Sequence, residues 1–173
     1  SIGCKVTVVT PDVDESRHDD ELPESYVLRV LKEKTGFTIE RTQSRGDRVI
    51  ITSDTIVTID GIILGKPVSR DDAVLMLSRL SGRTHQVITG LSLAVVKAGM
   101  MDIHTAMEHT AVSFRELDTG IIEKYIDITD YGDKAGSYAV QENGDMIVSS
   151  VSGSMTNVIG FPLRLFYSML VKA

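Results

Sequence analysis

Hydrophobic and polar positions alternate with two different periods along the chain, and each period predicts a different kind of element. Apolar residues that recur every three to four positions predict helices at residues 20–37, 69–82 and 118–128, and another from Pro162 onward. Runs rich in β-branched residues predict strands at residues 5–10, 48–53, 86–99 and 101–114, and a hairpin at 55–66. Because helices and strands intermix, the pattern predicts an α/β fold with a mixed sheet.

Turn and capping residues mark where several of these elements begin and end. Pro23 suits the first turn of the first helix, and Gly36 is expected to end that helix. Asp60 and Gly61 favour the positive φ angles of a tight hairpin turn. Ser69 is expected to cap the second helix, and the helix DTGIIEKYIDI, which opens at Asp118, is expected to be capped as well. The apolar residues expected to face the core from the helices are Val27, Val30, Leu31, Ala73, Leu77, Leu80, Leu163, Phe166, Met169 and Leu170.

Length and composition limit the class of protein. The chain has 173 residues, 42% of them hydrophobic and 24% charged, which fits one globular domain of one or two lobes. Its net charge of −6 argues against binding a nucleic-acid backbone. Charged residues interrupt every apolar run, so no membrane span is expected, and no signal peptide is visible. With Cys4 as the single cysteine, we expect a cytoplasmic enzyme or small-ligand protein.

Several familiar catalytic motifs are missing from the sequence. It contains no Gly-x-Ser-x-Gly elbow, no Walker A loop and no Gly-x-Gly-x-x-Gly fingerprint. The four histidines lack the spacing of a zinc site. His104 and His109 are expected on one strand, where an odd separation points them to opposite faces.

Carboxylates and lysines at the ends of elements are the remaining candidates for chemistry. Glu15 and Asp54 each follow a predicted strand, and Lys34, Lys66 and Lys134 stand at element ends or in glycine-flanked loops. Carboxylate oxygens suit Mg²⁺, and lysines suit phosphates as point charges. This set fits metal-assisted attack of water on a phosphoryl group. The same residue types also occur as ordinary solvated chain ends, so composition alone leaves both interpretations open.

Six ordered sequence motifs narrow the choice. They are PDVDE at 11–15, PESYVLRVLKEK at 23–34, SDTIVTIDGIILGKP at 53–67, LSGRTHQVITG at 80–90, YGDKAGSYAVQ at 131–141 and SGSMTNVIGFPL at 152–163. Together they make the chain resemble the Maf family of nucleotide pyrophosphatases over nearly its whole length. The resemblance implies a single two-lobed domain over residues 1–173, with a mixed sheet and flanking helices around a deep cleft, as in inosine triphosphatases. It also implies hydrolysis of nucleoside triphosphates to monophosphate and pyrophosphate by a metal-dependent homodimer.

The resemblance also implies roles for particular residues. Asp54 matches the acid that accepts a proton from the attacking water and helps to hold the divalent metal. Glu15 matches the acid that handles metal and phosphate. Lys34 and Lys66 match the lysines on the phosphate side of the family's site. Mg²⁺ is the expected metal, with Mn²⁺ or Co²⁺ as alternatives.

Two further positions concern the choice of substrate. Gln141 matches the glutamine of the subgroup acting on dTTP and UTP, and its amide offers a donor and an acceptor to a pyrimidine imide edge. Thr55 matches a second position tied to specificity. The alternatives are a purine-type enzyme acting on inosine or 7-methyl-GTP nucleotides, and an inactive nucleotide-binding regulator of division. Asn157 is expected to tie a turn, and Lys134 either contacts phosphate or pairs with Asp133.

One part of the family pattern is absent from this sequence. Family members begin with a strand followed by a Ser-x-Arg-Arg loop, and no such segment precedes SIGCKVTVVTPDVDE. That loop would supply a serine and two arginines to the triphosphate. Because loss of a first strand would expose a sheet edge, we expect the natural chain to carry this segment.

Overall fold

A computed structural model of the chain describes residues 5–42 and 46–172. Its helices are α1 (Pro23–Arg41), α2 (Arg70–Leu80), α3 (Thr119–Ile128), α4 (Met155–Val158) and α5 (Leu163–Leu170). Its strands are β1 (Arg48–Ile59), β2 (Ile62–Leu64), β3 (Thr84–Lys97), β4 (Met100–Phe114) and β5 (Val148–Ser152). No helix in this part of the chain has the length and apolar character needed to cross a bilayer.

The strands form one sheet in the order β2-β1-β3-β4-β5. Each pairing between neighbouring strands of this sheet is antiparallel. The predicted α/β class is confirmed, in the form of an antiparallel sheet flanked by helices. The described sheet is therefore antiparallel, and not mixed as had been expected. Short turns join β1 to β2 and β3 to β4, and strands joined by a short turn run antiparallel.

Local signals correctly located the hairpin and two helix caps. Asp60 and Gly61 have φ angles of 53° and 73°, as a tight two-residue hairpin turn requires. Ser69 accepts a hydrogen bond from the backbone of Asp72 and caps α2. Asp118 caps α3 in the same way, through the amide of Ile121. These caps satisfy amides that have no partner inside the helix.

Helix α1 packs over one face of the sheet, against β1 and β3. Val27 is fully buried in this layer and packs with Ile56 of β1 and Ile88 of β3. The opposite face carries a larger core that joins α2 and α3 to Val57 and Val87. Towards the other end of that face, α5 covers Leu91 and Leu93 with Met169. The sheet is thus covered by helices on both faces.

Four local predictions were wrong. Asp54 and Lys34 were expected at the ends of elements, but Asp54 lies within β1, which pairs with β3 without a break there, and Lys34 lies within α1. Residues 5–10 form no strand, and Val6 and Val8 are exposed, because β-branched residues become a strand only where a neighbouring backbone pairs with them. Helix α1 continues past Gly36 to Arg41, since buried Thr35 and Thr38 still pack and their hydroxyls bond the preceding turn.

The fourth error concerns α5. Met169 is buried and Phe166 packs against the core as expected, but Leu163 and Leu170 are exposed. An eight-residue helix that lies on a sheet buries only one narrow side, so the apolar residues outside that side face solvent. The core positions predicted on α1 and α2 are confirmed, since all six are fully buried.

Candidate active site

Two carboxylates converge on one ammonium group where α1 crosses β1. Lys34 Nζ lies 2.5 Å from Asp54 Oδ1 and 2.8 Å from Glu15 Oε1. Lys34 and Asp54 are largely buried, with side-chain exposures of 14% and 11%, whereas Glu15 is 47% exposed. The structure therefore brings together three of the residues predicted for the site, with Glu15 on the solvent side.

Side chains of α1 hold the loop that carries Glu15. The Tyr26 hydroxyl donates to the backbone oxygen of Glu15 at 2.8 Å. Arg29 donates to the backbone oxygens of the residues on either side, Asp14 at 3.4 Å and Ser16 at 2.8 Å. The Arg29 guanidinium also forms a two-pronged ion pair with Glu21 at 2.8 and 2.9 Å. This ion pair fixes the position of the guanidinium that donates hydrogen bonds to the loop carrying Glu15.

Burial and charge set the protonation behaviour of the pair. Burial raises the pKa of Asp54 and the charge of Glu15 adds to that rise, while hydrogen bonding and charge from Lys34 and the charge of Lys66 partly oppose it. Burial opposes the charge of Lys34, but its hydrogen bonds to Asp54 and Glu15 outweigh this and raise its pKa. A carboxylate with a raised pKa accepts a proton more readily, which suits a general base.

A second group of predicted residues surrounds a cavity of about 200 Å³. Thr55, Lys66 and Gln141 all line this cavity, together with Lys134 and the ring of Tyr138. The Lys134 ammonium pairs with Asp133 at 2.5 Å, as one of the two predicted alternatives for this lysine proposed. The cavity thus combines apolar walls, an amide, a hydroxyl and two ammonium groups, which is a mixture suited to a small polar ligand.

The two groups of residues meet at an edge of the sheet. Asp54 and Thr55 are adjacent on β1, so their side chains point to opposite faces. Strand β2 pairs with β1 only at Val57–Ile59, and no other described strand borders the β1 edge next to Asp54 and Thr55. A ligand that crosses this edge can contact the Asp54 group with one end and the Thr55 cavity with the other.

The segment at residues 153–160, which contains α4, is linked to the residues on both sides of Asp54, directly to Ser53 and through Thr89 to Thr55. Ser53 Oγ donates to the backbone oxygen of Gly160 at 2.8 Å. Thr55 Oγ1 lies 2.9 Å from Thr89 Oγ1, which in turn donates to the backbone oxygen of Asn157 at 3.0 Å. Asn157 was expected to tie a turn, but its side-chain amide instead donates to the backbone oxygen of Val87 in β3 and to Thr110 in β4.

Glu15 and Asp54 form a small set of oxygen donors for a divalent cation. Among the described residues, no group of three or more histidine, cysteine or acidic side chains is placed to hold a metal. Glu15 and Asp54 nevertheless already share one cation, the Lys34 ammonium. Mg²⁺ commonly takes only one or two protein carboxylates and completes its shell with water and substrate phosphate oxygens. The donor set therefore fits a metal that binds together with a phosphorylated substrate.

Sequence reasoning did not identify the residues that position the site. Tyr26 and Arg29 were placed on α1 without a function, and Thr89 and Ser53 were not singled out. The available signal was that Arg29 lies off the apolar face of α1, opposite an acidic loop. Thr89 gave no signal, because a threonine within a buried strand is an ordinary β-sheet residue.

The fold and this site define the class of protein. It is an α/β protein in which carboxylates and lysines lie next to a cavity for a small ligand. The family model described as "Maf-like protein" matches residues 1–173. The chain therefore belongs to the Maf family.

Curated relatives agree with this assignment. A dTTP/UTP pyrophosphatase from Hahella chejuensis is 40% identical over 162 residues, covering 94% of this chain and 79% of the relative. A dTTP/UTP pyrophosphatase from Phocaeicola vulgatus is 42% identical, covering 99% of this chain and 86% of the relative. A nucleoside triphosphate pyrophosphatase from Xylella fastidiosa is 39% identical, covering 91% of this chain and 82% of the relative.

Proposed function

We propose that this protein is a nucleoside triphosphate pyrophosphatase that hydrolyses dTTP and UTP to the monophosphate and pyrophosphate. The observation that carries the proposal is the convergence of Asp54 and Glu15 on Lys34, next to a cavity lined by Thr55, Lys66 and Gln141. The names of relatives at about 40% identity support the same activity.

In the proposed reaction, Asp54 takes a proton from a water molecule as that water attacks the α-phosphorus. A new P–O bond forms to the water oxygen, and the bond from the α-phosphorus to the bridging oxygen breaks. Pyrophosphate leaves with the bonding electron pair. The raised pKa of Asp54, which follows from its burial, favours proton transfer to this carboxylate.

Cations are required because negative charge accumulates on the leaving group. Lys34 is held beside Asp54, and Lys66 is close enough to influence the pKa of the same carboxylate. Both lysines are proposed to neutralise phosphate oxygens. Glu15 and Asp54 are the residues proposed to hold a divalent metal, expected to be Mg²⁺. When bound, it would polarise the phosphoryl oxygens and neutralise their charge.

The Gln141 amide is proposed to recognise the base. An amide presents one donor and one acceptor, which complement the carbonyl and N–H groups of a uracil or thymine edge. Thr55 lines the same cavity, so it is proposed to contribute to this recognition. We further propose that the enzyme works as a cytoplasmic homodimer, which sedimentation and cell fractionation would examine.

The proposal is tested by pyrophosphate release from UTP and dTTP in the presence of Mg²⁺. We expect turnover by the native protein and a loss of at least about a hundredfold in kcat for Asp54→Asn, which keeps the shape but not the base. EDTA should abolish turnover and added Mg²⁺ should restore it. Orthophosphate as the first product would contradict attack on the α-phosphorus.

The same assay discriminates between this proposal and the two alternatives. Preferential hydrolysis of inosine or 7-methylguanosine triphosphate, in a panel at equal concentrations, would reassign the substrate to the purine class. Tight UTP binding by a folded native protein without turnover of any triphosphate would instead indicate a nucleotide-binding regulator.

A further inference from the structure

The hydroxyl of Thr55 is part of a hydrogen-bond chain whose direction can be deduced. Thr89 Oγ1 donates to the backbone oxygen of Asn157 at 3.0 Å, and a backbone carbonyl can only accept. A threonine hydroxyl has one proton, so Thr89 has none left for Thr55. The arrangement that satisfies both contacts of Thr89 therefore has Thr55 as the donor in the 2.9 Å contact between the two hydroxyls.

The surroundings of Thr89 keep this direction fixed. Thr89 and Asn157 are fully buried, which excludes water as an alternative partner. The Asn157 amide nitrogen donates to the backbone oxygen of Val87 at 3.1 Å and to Thr110 Oγ1 at 2.9 Å. Thr110 Oγ1 donates in turn to the backbone oxygen of Ser154 at 3.3 Å. These contacts hold the Asn157 backbone beside Thr89, and the Asn157 carbonyl oxygen can only accept the Thr89 proton, not return one.

The consequence appears in the ligand cavity that Thr55 lines. A hydroxyl that donates its proton to Thr89 has only lone pairs left to offer to a ligand. We infer that Thr89 is a positioning residue that makes Thr55 an acceptor towards the cavity, so that this side of the site selects a pyrimidine whose ring nitrogen N3 carries a proton. This inference rests on the proposed function and specifies how its substrate is chosen.

The chemistry of the bases then predicts which nucleotides are excluded. Uracil and thymine carry an imide N–H, which can donate to Thr55. In cytosine the same ring nitrogen, N3, carries a lone pair instead of a proton. It would face the lone pairs of the Thr55 oxygen, and no hydrogen bond could form between them. A polar site rejects such a mismatched analogue strongly, because both groups lose their water without gaining a bond. Thr55 and Gln141 would thus act together to favour imide-bearing pyrimidines over cytosine.

The test replaces Thr89 by valine, which keeps the shape but removes the acceptor that holds the Thr55 proton. In Thr89→Val the Thr55 hydroxyl is free to turn its proton to the cavity, where it can donate to cytosine. The measured quantity is the ratio of kcat/KM for UTP to that for CTP. We expect this ratio to fall about tenfold or more in Thr89→Val and to be retained in Thr89→Ser, which restores the hydroxyl. A role in stability alone would lower kcat/KM for both nucleotides and leave the ratio unchanged.

A second variant keeps the test decisive if Thr89→Val does not fold. Thr55→Val removes the acceptor itself at a partly exposed position, and its UTP to CTP ratio should fall as well. An unchanged ratio in either folded variant, as judged by circular dichroism, overturns the inference.

Binding measurements separate this inference from the proposed activity. The UMP to CMP affinity ratio, measured by calorimetry with the same variants, needs no turnover. Absence of pyrophosphate release by the native protein would overturn the proposed function. A UMP to CMP ratio that is equal in the native protein and in Thr89→Val would overturn the role of Thr89.

Discussion

Gly90 of β3 lies directly beneath Val27 of α1. A β-carbon at position 90 would come within 2.6 Å of Val27 Cγ1 and 3.1 Å of Leu31 Cδ2. Gly90 is also the residue that pairs with Asp54 across β1 and β3. The helix that carries Lys34 is therefore packed tightly against the sheet beside the proposed base.

We accordingly expect Gly90→Ala to disturb both stability and the site. Extra atoms in a packed layer force the neighbouring elements apart, at a cost of about 1–3 kcal/mol in the free energy of unfolding. Displacement of α1 should also lengthen the contact between Lys34 and Asp54 and lower kcat. Urea unfolding and pyrophosphate release measure the two effects.

Gly36→Ala on the same helix is the matched control. A β-carbon at position 36 would meet no atom within 4 Å, and the residue lies inside α1. Alanine there should raise the free energy of unfolding by about 0.5–1 kcal/mol, because glycine is the poorer helix former. Equal behaviour of the two variants would show that Gly90 is not needed for close packing.

Lys34 is expected to be essential for turnover. Lys34→Met removes the cation shared by Asp54 and Glu15 and leaves two carboxylates facing each other. We expect kcat/KM for UTP to fall about a hundredfold or more, the usual result of removing one charge-stabilising donor. Lys32 lies exposed on the same helix, so Lys32→Met changes the helix charge equally and should leave kcat/KM unchanged. Equal losses in the two variants would point to a general effect of charge.

The parts of the fold that the sequence could predict are those decided within a few residues. The turn at Asp60 and Gly61 and the caps at Ser69 and Asp118 depend only on local backbone geometry, and the structure has them where expected. Which residues of α5 are buried, and whether residues 5–10 form a strand, depend on how distant parts of the chain pack together. Residue type alone therefore gave wrong predictions at both places.

The proposed site shows the same division. Its acids and lysines could be predicted from the sequence, because carboxylates and lysines are suited to binding metals and phosphates and because they lie in recognisable motifs. The direction of the Thr55 hydrogen bond could not, because it depends on a contact between Thr89 and Asn157, which are 68 residues apart. The position of Glu15 depends in the same way on Arg29 and Tyr26, whose contacts exist only after α1 has docked.

Arg29 is expected to act on activity through Glu15. Arg29→Lys keeps the charge but loses the two-pronged contact with Glu21 and the bonds to both sides of Glu15. A less ordered Glu15 loop should lower kcat/KM by about tenfold. In a double-mutant cycle, Arg29→Lys should have little further effect once Glu15 is glutamine. Additive losses would show that Arg29 acts independently of Glu15.

His85 should make the stability of the protein depend on pH. It is almost fully buried, its Nε2 is 2.8 Å from the Tyr138 hydroxyl, and burial lowers its pKa from 6.5 to about 4. The unfolded chain takes up a proton near pH 6.5 and the folded chain only near pH 4. Stability due to His85 is therefore complete above pH 6.5 and is lost as pH falls towards 4.

Between pH 7 and pH 5 this loss should amount to about 2 kcal/mol in the free energy of unfolding. Urea unfolding at the two pH values, for the native protein and for His85→Gln, isolates the contribution, since the variant has no imidazole at this position. His109→Gln, at an exposed position on β4, is the control and should keep the native pH dependence. A His85→Gln protein that loses as much stability as the native one between pH 7 and pH 5 would show that other groups cause the pH dependence.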